Sequence, residues 1–304
     1  MIVANSPMEE LMDELRETGA SFRLEEPLSR YTTIGLGGPA EVMAFPTSVG
    51  ELQATIAVMK GREIPVRILG GGSNLLVSDT GLRGAVIHMG AMRITRFYEG
   101  GRLEAEAGVH FPGLVRRAVS RGLRGLEGGV GIPGSVGGVL AMNAGAYGFA
   151  MGDRVESVTV IAPAKGLQEL PREQVDFRYR SSSFGDDVIV ARCLLRLEED
   201  EPAAIRADME KQLNDRKATQ PVGVKSAGCI FKNPPESSAG RIIDELGLKG
   251  LTVGGARVSE VHANFIVHDG DAKAADVFGL IEKLKENVYR ATAVELEEEV
   301  KRWS

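Results

Sequence analysis

The segment Gly131–Gly148, "GIPGSVGGVLAMNAGAYG", constrains this chain more than any other. Six glycines and Pro133 alternate with Ser135, Asn143 and Tyr147. The stretch is too apolar for a flexible Gly/Ser linker and too rich in glycine for the interior of a helix or strand. An ordered loop pressed closely against something flat and charged is the expectation. A second glycine run, "ILGGGSNLLVSD" at 68–79, carries an apolar strand into Gly70, Gly71 and Gly72, then Ser73, Asn74 and Leu75. Glycine lets main-chain N–H groups approach a ligand at dihedrals other residues avoid, which suits a pyrophosphate. Taken alone, this second run is equally compatible with an ordinary glycine turn. Neither segment contains GxGxxG or GxxxxGK[ST], which disfavours a Rossmann cofactor site and a P-loop.

The 304 residues allow about two domains. Lys and Arg number 36 against 42 Asp and Glu, for a net charge of -6, and aromatics are 5%. Nucleic acid is therefore not an expected partner, since phosphate binding needs clustered cations and single strands need stacking platforms. No apolar run reaches membrane-span length, and the N-terminus lacks the basic start and apolar core of a secretion signal. A cytoplasmic setting and no obligatory protein partner are expected. Two distant cysteines make neither a disulfide framework nor a metal site, and the four histidines are scattered.

Periodicity predicts helices over 8–19, 48–64, 111–123, 201–220, 239–247 and 274–292. Ser48 is placed as an N-cap, with Glu51 completing a capping box. Strands are predicted at 40–45, 66–69, 84–89, 155–163, 187–197, around Cys229, at 262–269 and at 294–303. Residues 96–108 read as a hairpin turning at Gly100-Gly101. The texture changes after Asp200. The expected division is an N-terminal helix at 1–20, subdomains at 21–95 and 96–200, and a C-terminal α+β domain at 201–304.

"YTTIGLGGPAEV" (31–42), "GGGSNLL" (70–76), the 131–148 segment, "FRYRSSSF" (177–184), "SAGCIFKNP" (226–234) and "VELEEEV" (294–300) occur in one order. Together they resemble the UDP-N-acetylenolpyruvoylglucosamine reductase (MurB) family of peptidoglycan synthesis. The resemblance runs from about Leu28 to Lys301. It implies an α+β chain: a two-subdomain FAD-binding fold of the vanillyl-alcohol-oxidase type, followed by a C-terminal α+β substrate-binding domain. It also implies non-covalent FAD, NADPH as hydride donor and a nucleotide-sugar substrate. FAD would be held by Gly70, Gly71, Gly72, Ser73, Asn74, Leu75, Gly131, Ile132, Pro133, Gly134, Ser135, Gly138, Asn143 and Gly145.

Reducing an enol ether conjugated to a carboxylate requires a cofactor hydride, a fixed charge to meet the developing enolate, and an acid to protonate the neighbouring carbon. The resemblance implies Arg180 and Glu299 for the enolate and Cys229 for the proton. Sequence pattern does not choose between Arg178 and Arg180, which would share a strand face; the family match selects Arg180. Glu299 stands among Glu295, Glu297 and Glu298, most of which read as a solvated acidic edge strand. Cys229 occupies a position where many family members carry serine. A thiol lies much closer to neutrality than a hydroxyl does, at about 8.5 in its ordinary state. Cys193, within "VARCLLRL", reads as a core thiol.

Tyr179, Lys225, Lys232 and Asn233 are the candidate substrate contacts; a solvated lysine face is the alternative for the two lysines. Only "GDD" separates Phe184 from Val188, so the chain resembles the short-form class that lacks a tyrosine-bearing capping loop. Two competing functions stay open on sequence: another FAD oxidoreductase of the same fold, and a flavin- or nucleotide-sugar-binding module without turnover. The first commonly carries covalent flavin on His or Cys, and none of the histidines falls in the glycine loops.

Overall fold

The computed structural model describes residues 6–162, 165–185, 187–235 and 237–304. It divides into two compact units, each discontinuous in sequence. The first comprises 1–26, 40–71 and 83–210; the second comprises 27–39, 72–82 and 211–304.

In the first unit, helix α1 (Pro7–Glu17) begins at a capping box between Ser6 and Glu9, and Leu11 and Leu15 form its buried stripe. Helix α2 (Val49–Gly61) starts at Ser48, whose Oγ accepts from the Glu51 amide at 3.2 Å. The expected box is not closed there. The Glu51 carboxylate reaches one residue further back, accepting from the Thr47 N–H at 2.7 Å and the Thr47 hydroxyl at 2.8 Å. Leu11, Leu15 and Met59 pack with Val42 and Ala85 of a four-stranded sheet. Its order is Ser21–Pro27, Pro39–Phe45, Leu82–His88, Val66–Leu69, and the last two strands run parallel with Leu69 opposite His88. That register delivers the chain to Gly70 at a sheet end, where parallel strands leave room for a ligand loop.

The same unit contains a five-stranded antiparallel sheet: Gly166–Pro171, Val155–Ala162, Ile189–Arg196, Arg102–Glu106, Thr95–Tyr98. The predicted hairpin is present, with Tyr98 opposite Arg102 and both Gly100 and Gly101 at positive φ. Helix α3 (Phe111–Val119) follows. The glycine-rich segment departs from the expected ordered loop by holding a helix, α4 (Val136–Ala141). Gly137 explains it: a Cβ there would lie 2.9 Å from Ala107 Cβ and 3.3 Å from Ala107 O, so the helix rests directly on Ala107. The tertiary contact overrides the poor helix propensity. Cys193 is buried in the sheet, and burial pushes its thiol well up, as expected of an inert core cysteine. Helix α5 (Pro202–Thr219) follows, and the division at 210/211 falls within it.

The second unit has its own core. Ile34, Leu36 and Leu76 join Ile230, Phe231, Ile243, Ile266, Leu280 and Leu284. Helices α6 (Ala239–Glu245) and α7 (Ala274–Thr292) supply the apolar faces. Strands Thr252–Val253, Ala256–Val258 and Ile266–Val267 form an antiparallel sheet, and Lys301–Trp303 pairs parallel with Leu75–Val77. Two predicted strands are corrected. Cys229 sits in no strand: it makes one isolated bridge, to Phe265, and Phe231 makes another, to Glu298. The C-terminal strand is only Lys301–Trp303, because 294–300 is irregular. Asp79 does work no local pattern announced: its two carboxylate oxygens accept from the first amides of α7, Ala274 at 2.8 Å and Ala275 at 3.0 Å. No helix among the described residues is long and apolar enough to cross a membrane.

Candidate active site

Two clusters gather the predicted residues, one in each unit. In the first unit the two glycine runs meet. A Cβ on Gly70 would lie 2.4 Å from Ser135 Oγ, and one on Gly71 would lie 2.6 Å from Gly134 Cα. Gly131 and Gly134 have φ of +77° and +116°, which only glycine adopts freely. The loop is anchored from behind: the Phe111 amide donates to Gly134 O, Val136 to Val109 O and Gly137 to Ala107 O. Ile132 and Ser135 are buried beside it, and Ser135 Oγ faces the amide of Gly138 at 3.4 Å. The amides of Gly71, Gly134 and Ser135 donate to no group among the described residues. A cradle of close-packed backbone with unengaged N–H donors fits a pyrophosphate-bearing cofactor.

Asn143 and Gly145 lie further along the same segment and face inward to the protein. The Asn143 side chain accepts from the Gly152 amide at 2.9 Å and donates to Arg178 O at 3.0 Å. Gly145 O receives Arg180 Nη1 at 2.9 Å. Together with a Ser182 hydroxyl bond to Ala141 O at 2.7 Å, these tie the 141–145 backbone to a hairpin at 177–182. The hairpin revises the expected geometry of Arg180. Arg178 pairs opposite Ser181, so Tyr179 and Arg180 form the turn and Arg178 shares no strand face with Arg180. Arg180 has φ +53°, a conformation that costs a non-glycine residue about 1–2 kcal/mol and is concentrated at functional sites. Arg178 turns to Asp176, while the Arg180 guanidinium lies 5.2 Å from the Tyr179 ring centre. Tyr179 is 58% exposed.

The second cluster lies in the other unit. Gly72 has φ +59°, and a Cβ there would strike Tyr31 O at 1.9 Å. The Thr33 amide donates to Gly72 O, and the Thr33 hydroxyl donates to Ser226 O at 2.7 Å. The 31–38, 72–76 and 226–233 motifs are thus joined. Gly228 packs near Ser73 O. Asn74 Nδ2 donates to Glu299 O at 2.9 Å, and the Lys301 amide donates to Asn74 O at 3.0 Å. Leu75 is buried in the parallel pair opposite Lys301. The amide of Glu299 donates to Ile230 O at 2.8 Å, and that of Lys232 to Glu297 O at 2.8 Å. Cys229 and Glu299, both half-buried, therefore stand on adjoining backbone although far apart in sequence.

The glutamate run is not a uniform solvated edge. Glu298 is held by Lys285 Nζ at 2.9 Å and by Arg302, and Glu297 pairs with Lys232. Asn233 Oδ1 accepts from the Ala239 amide at 3.1 Å, supporting the start of α6. Lys225 is exposed, its stem lies over Gly35, and no carboxylate among the described residues pairs with it. Sequence reading passed over Asn264, which is 3% exposed. Its Oδ1 accepts from Phe231 N at 2.9 Å and its Nδ2 donates to Phe231 O at 2.8 Å. Nothing in "VHANFIV" marks it, because both partners lie far away in the chain.

The cradle and the two-sheet unit around it define a flavoprotein of the vanillyl-alcohol-oxidase type. The FAD binding domain family matches residues 39–169. A Physcomitrella patens BBE-like 1 variant shares the fold at 16% identity, with a TM-score of 0.50, covering 91% of this chain and 60% of that one. The C-terminal domain of UDP-N-acetylenolpyruvoylglucosamine reductase matches residues 220–303. The UDP-N-acetylenolpyruvoylglucosamine reductase of Heliobacterium modesticaldum is 43% identical over 288 residues, 94% of this chain and 92% of that protein. That of Trichlorobacter lovleyi is 44% identical over 276 residues, 90% of each. The crystal structure of the Thermus caldophilus enzyme (MurB) superposes with a TM-score of 0.80 at 40% identity, covering 94% of this chain and 99% of that one. The chain belongs to the UDP-N-acetylenolpyruvoylglucosamine reductase family, and FAD is its cofactor.

Proposed function

We propose that the chain reduces UDP-N-acetyl-enolpyruvoylglucosamine to UDP-N-acetylmuramate with NADPH, a step of peptidoglycan precursor synthesis carried out in the cytoplasm. The observation that carries this reading is the joining of Cys229 to Glu299 through the Glu299 amide and Ile230 O, in a chain that also builds the glycine cradle. Bound FAD would supply the hydride chemistry that links NADPH to the enolpyruvyl double bond.

The protein's own residues supply the rest. Amides of Gly71, Gly134 and Ser135 would hold the cofactor's pyrophosphate. Gly70, Gly131, Ile132, Pro133 and Gly138 shape the cradle, and Asn143 and Gly145 support it by fixing the backbone that receives Arg180, while Gly72, Asn74 and Leu75 brace the segment that carries Glu299. Arg180 supplies a permanent, planar cation for the substrate carboxylate, whose charge grows as the hydride adds at the terminal carbon. The bonds to Gly145 O and the Tyr179 ring hold that guanidinium in place, so little reorganisation accompanies the charge. The Cys229 thiol gives its proton to the adjacent carbon and regains one from solvent. Glu299 sets the field beside it. One hydride and one proton then account for the two hydrogens gained. Lys225, lacking an internal carboxylate partner, is suited to the diphosphate. Lys232 and Asn233, already engaged with Glu297 and Ala239, shape the segment around Cys229 and leave the anion to Lys225.

The test is NADPH oxidation by the purified yellow protein with and without the enolpyruvyl nucleotide sugar. Oxidation should depend on the sugar and yield one product per NADPH. Flavin-loaded protein that consumes no NADPH when the sugar is added overturns the reading.

A further inference from the structure

The backbone around Cys229 is held from both sides. On one side the Glu299 amide and the Glu297 carbonyl bond to Ile230 and Lys232. On the other, the Ile230 amide donates to Asn264 O at 2.9 Å, and Cys229 bridges to Phe265. Between these contacts, the Asn264 side chain takes both polar groups of Phe231 and acts as a one-residue piece of sheet. Phe231 is buried, so neither of its groups can turn to water if the amide is removed. No strand holds Cys229 in place, and this amide stands where a ladder would be.

We infer that Asn264 is the positioning residue for Cys229: its carboxamide clamps Phe231 and thereby fixes the direction of the thiol relative to Glu299. Asn264 is 3% exposed, and its carboxamide is spent on Phe231. Only the catalytic consequence rests on the proposed role of Cys229; the positioning does not. A neighbouring constraint supports the orientation. The Asn264 amide donates to His262 Nδ1 at 3.2 Å, and the His262 ring packs edge-on against Phe265 at 4.9 Å, so the residues flanking the carboxamide are fixed too.

The experiment uses the full flavin-loaded chain. Asn264→Leu keeps the approximate volume and removes both bonds; Asn264→Asp keeps the shape and turns the Phe231 O contact repulsive. The first readout needs no turnover: the rate of Cys229 alkylation by iodoacetamide, with buried Cys193 as internal reference. Either variant should change that rate by about tenfold or more, as loss of a buried polar clamp frees the segment. An unchanged rate overturns the inference whatever Cys229 does in catalysis. The second readout is stopped-flow. Flavin reduction by NADPH should stay within about twofold, while reoxidation by the enolpyruvyl substrate slows about tenfold. In a Cys229→Ala background the same substitution should slow reoxidation no further. Equal slowing in both backgrounds, or of both half-reactions, overturns it. Cys229→Ala reoxidising at the wild-type rate sinks the acid role alone, and the alkylation result then decides the positioning. If Asn264→Leu does not fold, Asn264→Asp is read by the same outcomes.

Discussion

At Gly70–Gly71 the backbone is brought against Gly134–Ser135 by leaving side chains out. At Cys229–Lys232 it is fixed by putting them in, with Asn264 supplying both halves of a missing strand pair and Asn74 holding Glu299 O. On the roles proposed above, the difference follows from what each place must present. A cradle for an anion has to expose main-chain N–H groups, so every Cβ is an obstruction and the supporting bonds come from behind. A proton donor has to present one side chain in one direction, so its backbone groups must be consumed by partners. The first device fails when volume is added, the second when polar groups are removed.

The largest effect should come from adding volume to the cradle. Gly71→Ala places a Cβ 2.6 Å from Gly134 Cα, a contact with rigid backbone and not with a mobile chain end. Overpacking of this kind costs about 1–3 kcal/mol, so FAD should bind roughly ten to a hundred times more weakly. Titration of apoprotein with FAD checks this, and undiminished affinity would show that the cradle is not where the cofactor sits. A methyl at Gly61, which meets nothing within 4 Å, should leave the affinity intact.

Next is a polar deletion away from either cluster. Asp79→Ala leaves the first two amides of α7 without their carboxylate and should lower stability by about 0.5–2 kcal/mol in urea unfolding. Flavin content at low denaturant should not change. A shift in flavin affinity equal to the stability loss would erase the distinction between the two devices.

The smallest effect is a dependence on pH. His88 in the first unit and His262 in the second are both held below the ordinary histidine range, chiefly because burial penalises the charged form. A lowered folded value means the unfolded chain binds more protons, so these groups make stability fall as pH drops below about 6.5 and leave it flat above. Exchanging either for glutamine should flatten that acid-side decline. For His262 the loss should coincide with faster alkylation of Cys229, because a proton on Nδ1 ends its acceptance from Asn264. Parallel curves for wild type and both variants would remove histidine from the account.

Much of this was readable from local chemistry. Helix α7 matches its apolar period residue for residue, the Gly100-Gly101 hairpin follows from turn preference, and the close approach of Gly70 and Gly71 to Gly134 and Ser135 follows from their lack of side chains. These features depend on neighbours within a few positions, which sequence displays. It was the resemblance of the whole set of motifs, and not any one spacing, that picked Arg180 over Arg178 and Glu299 over its neighbours.

Contacts between distant segments decided what remained. Helix α4 exists because Gly137 can rest on Ala107, against its own propensity. Arg180 leaves its expected strand because Asn143, Ser182 and Gly145 hold the 178–182 turn. Cys229 keeps its place without a strand because Asn264 stands in for one. The two units themselves are interleaved along the chain, with 27–39 and 72–82 belonging to the later residues. Composition and periodicity fix which residues can bury an apolar face or free a backbone amide. Which carbonyl a buried asparagine satisfies is settled only when the fold closes, because that energy depends on a partner the local sequence does not contain.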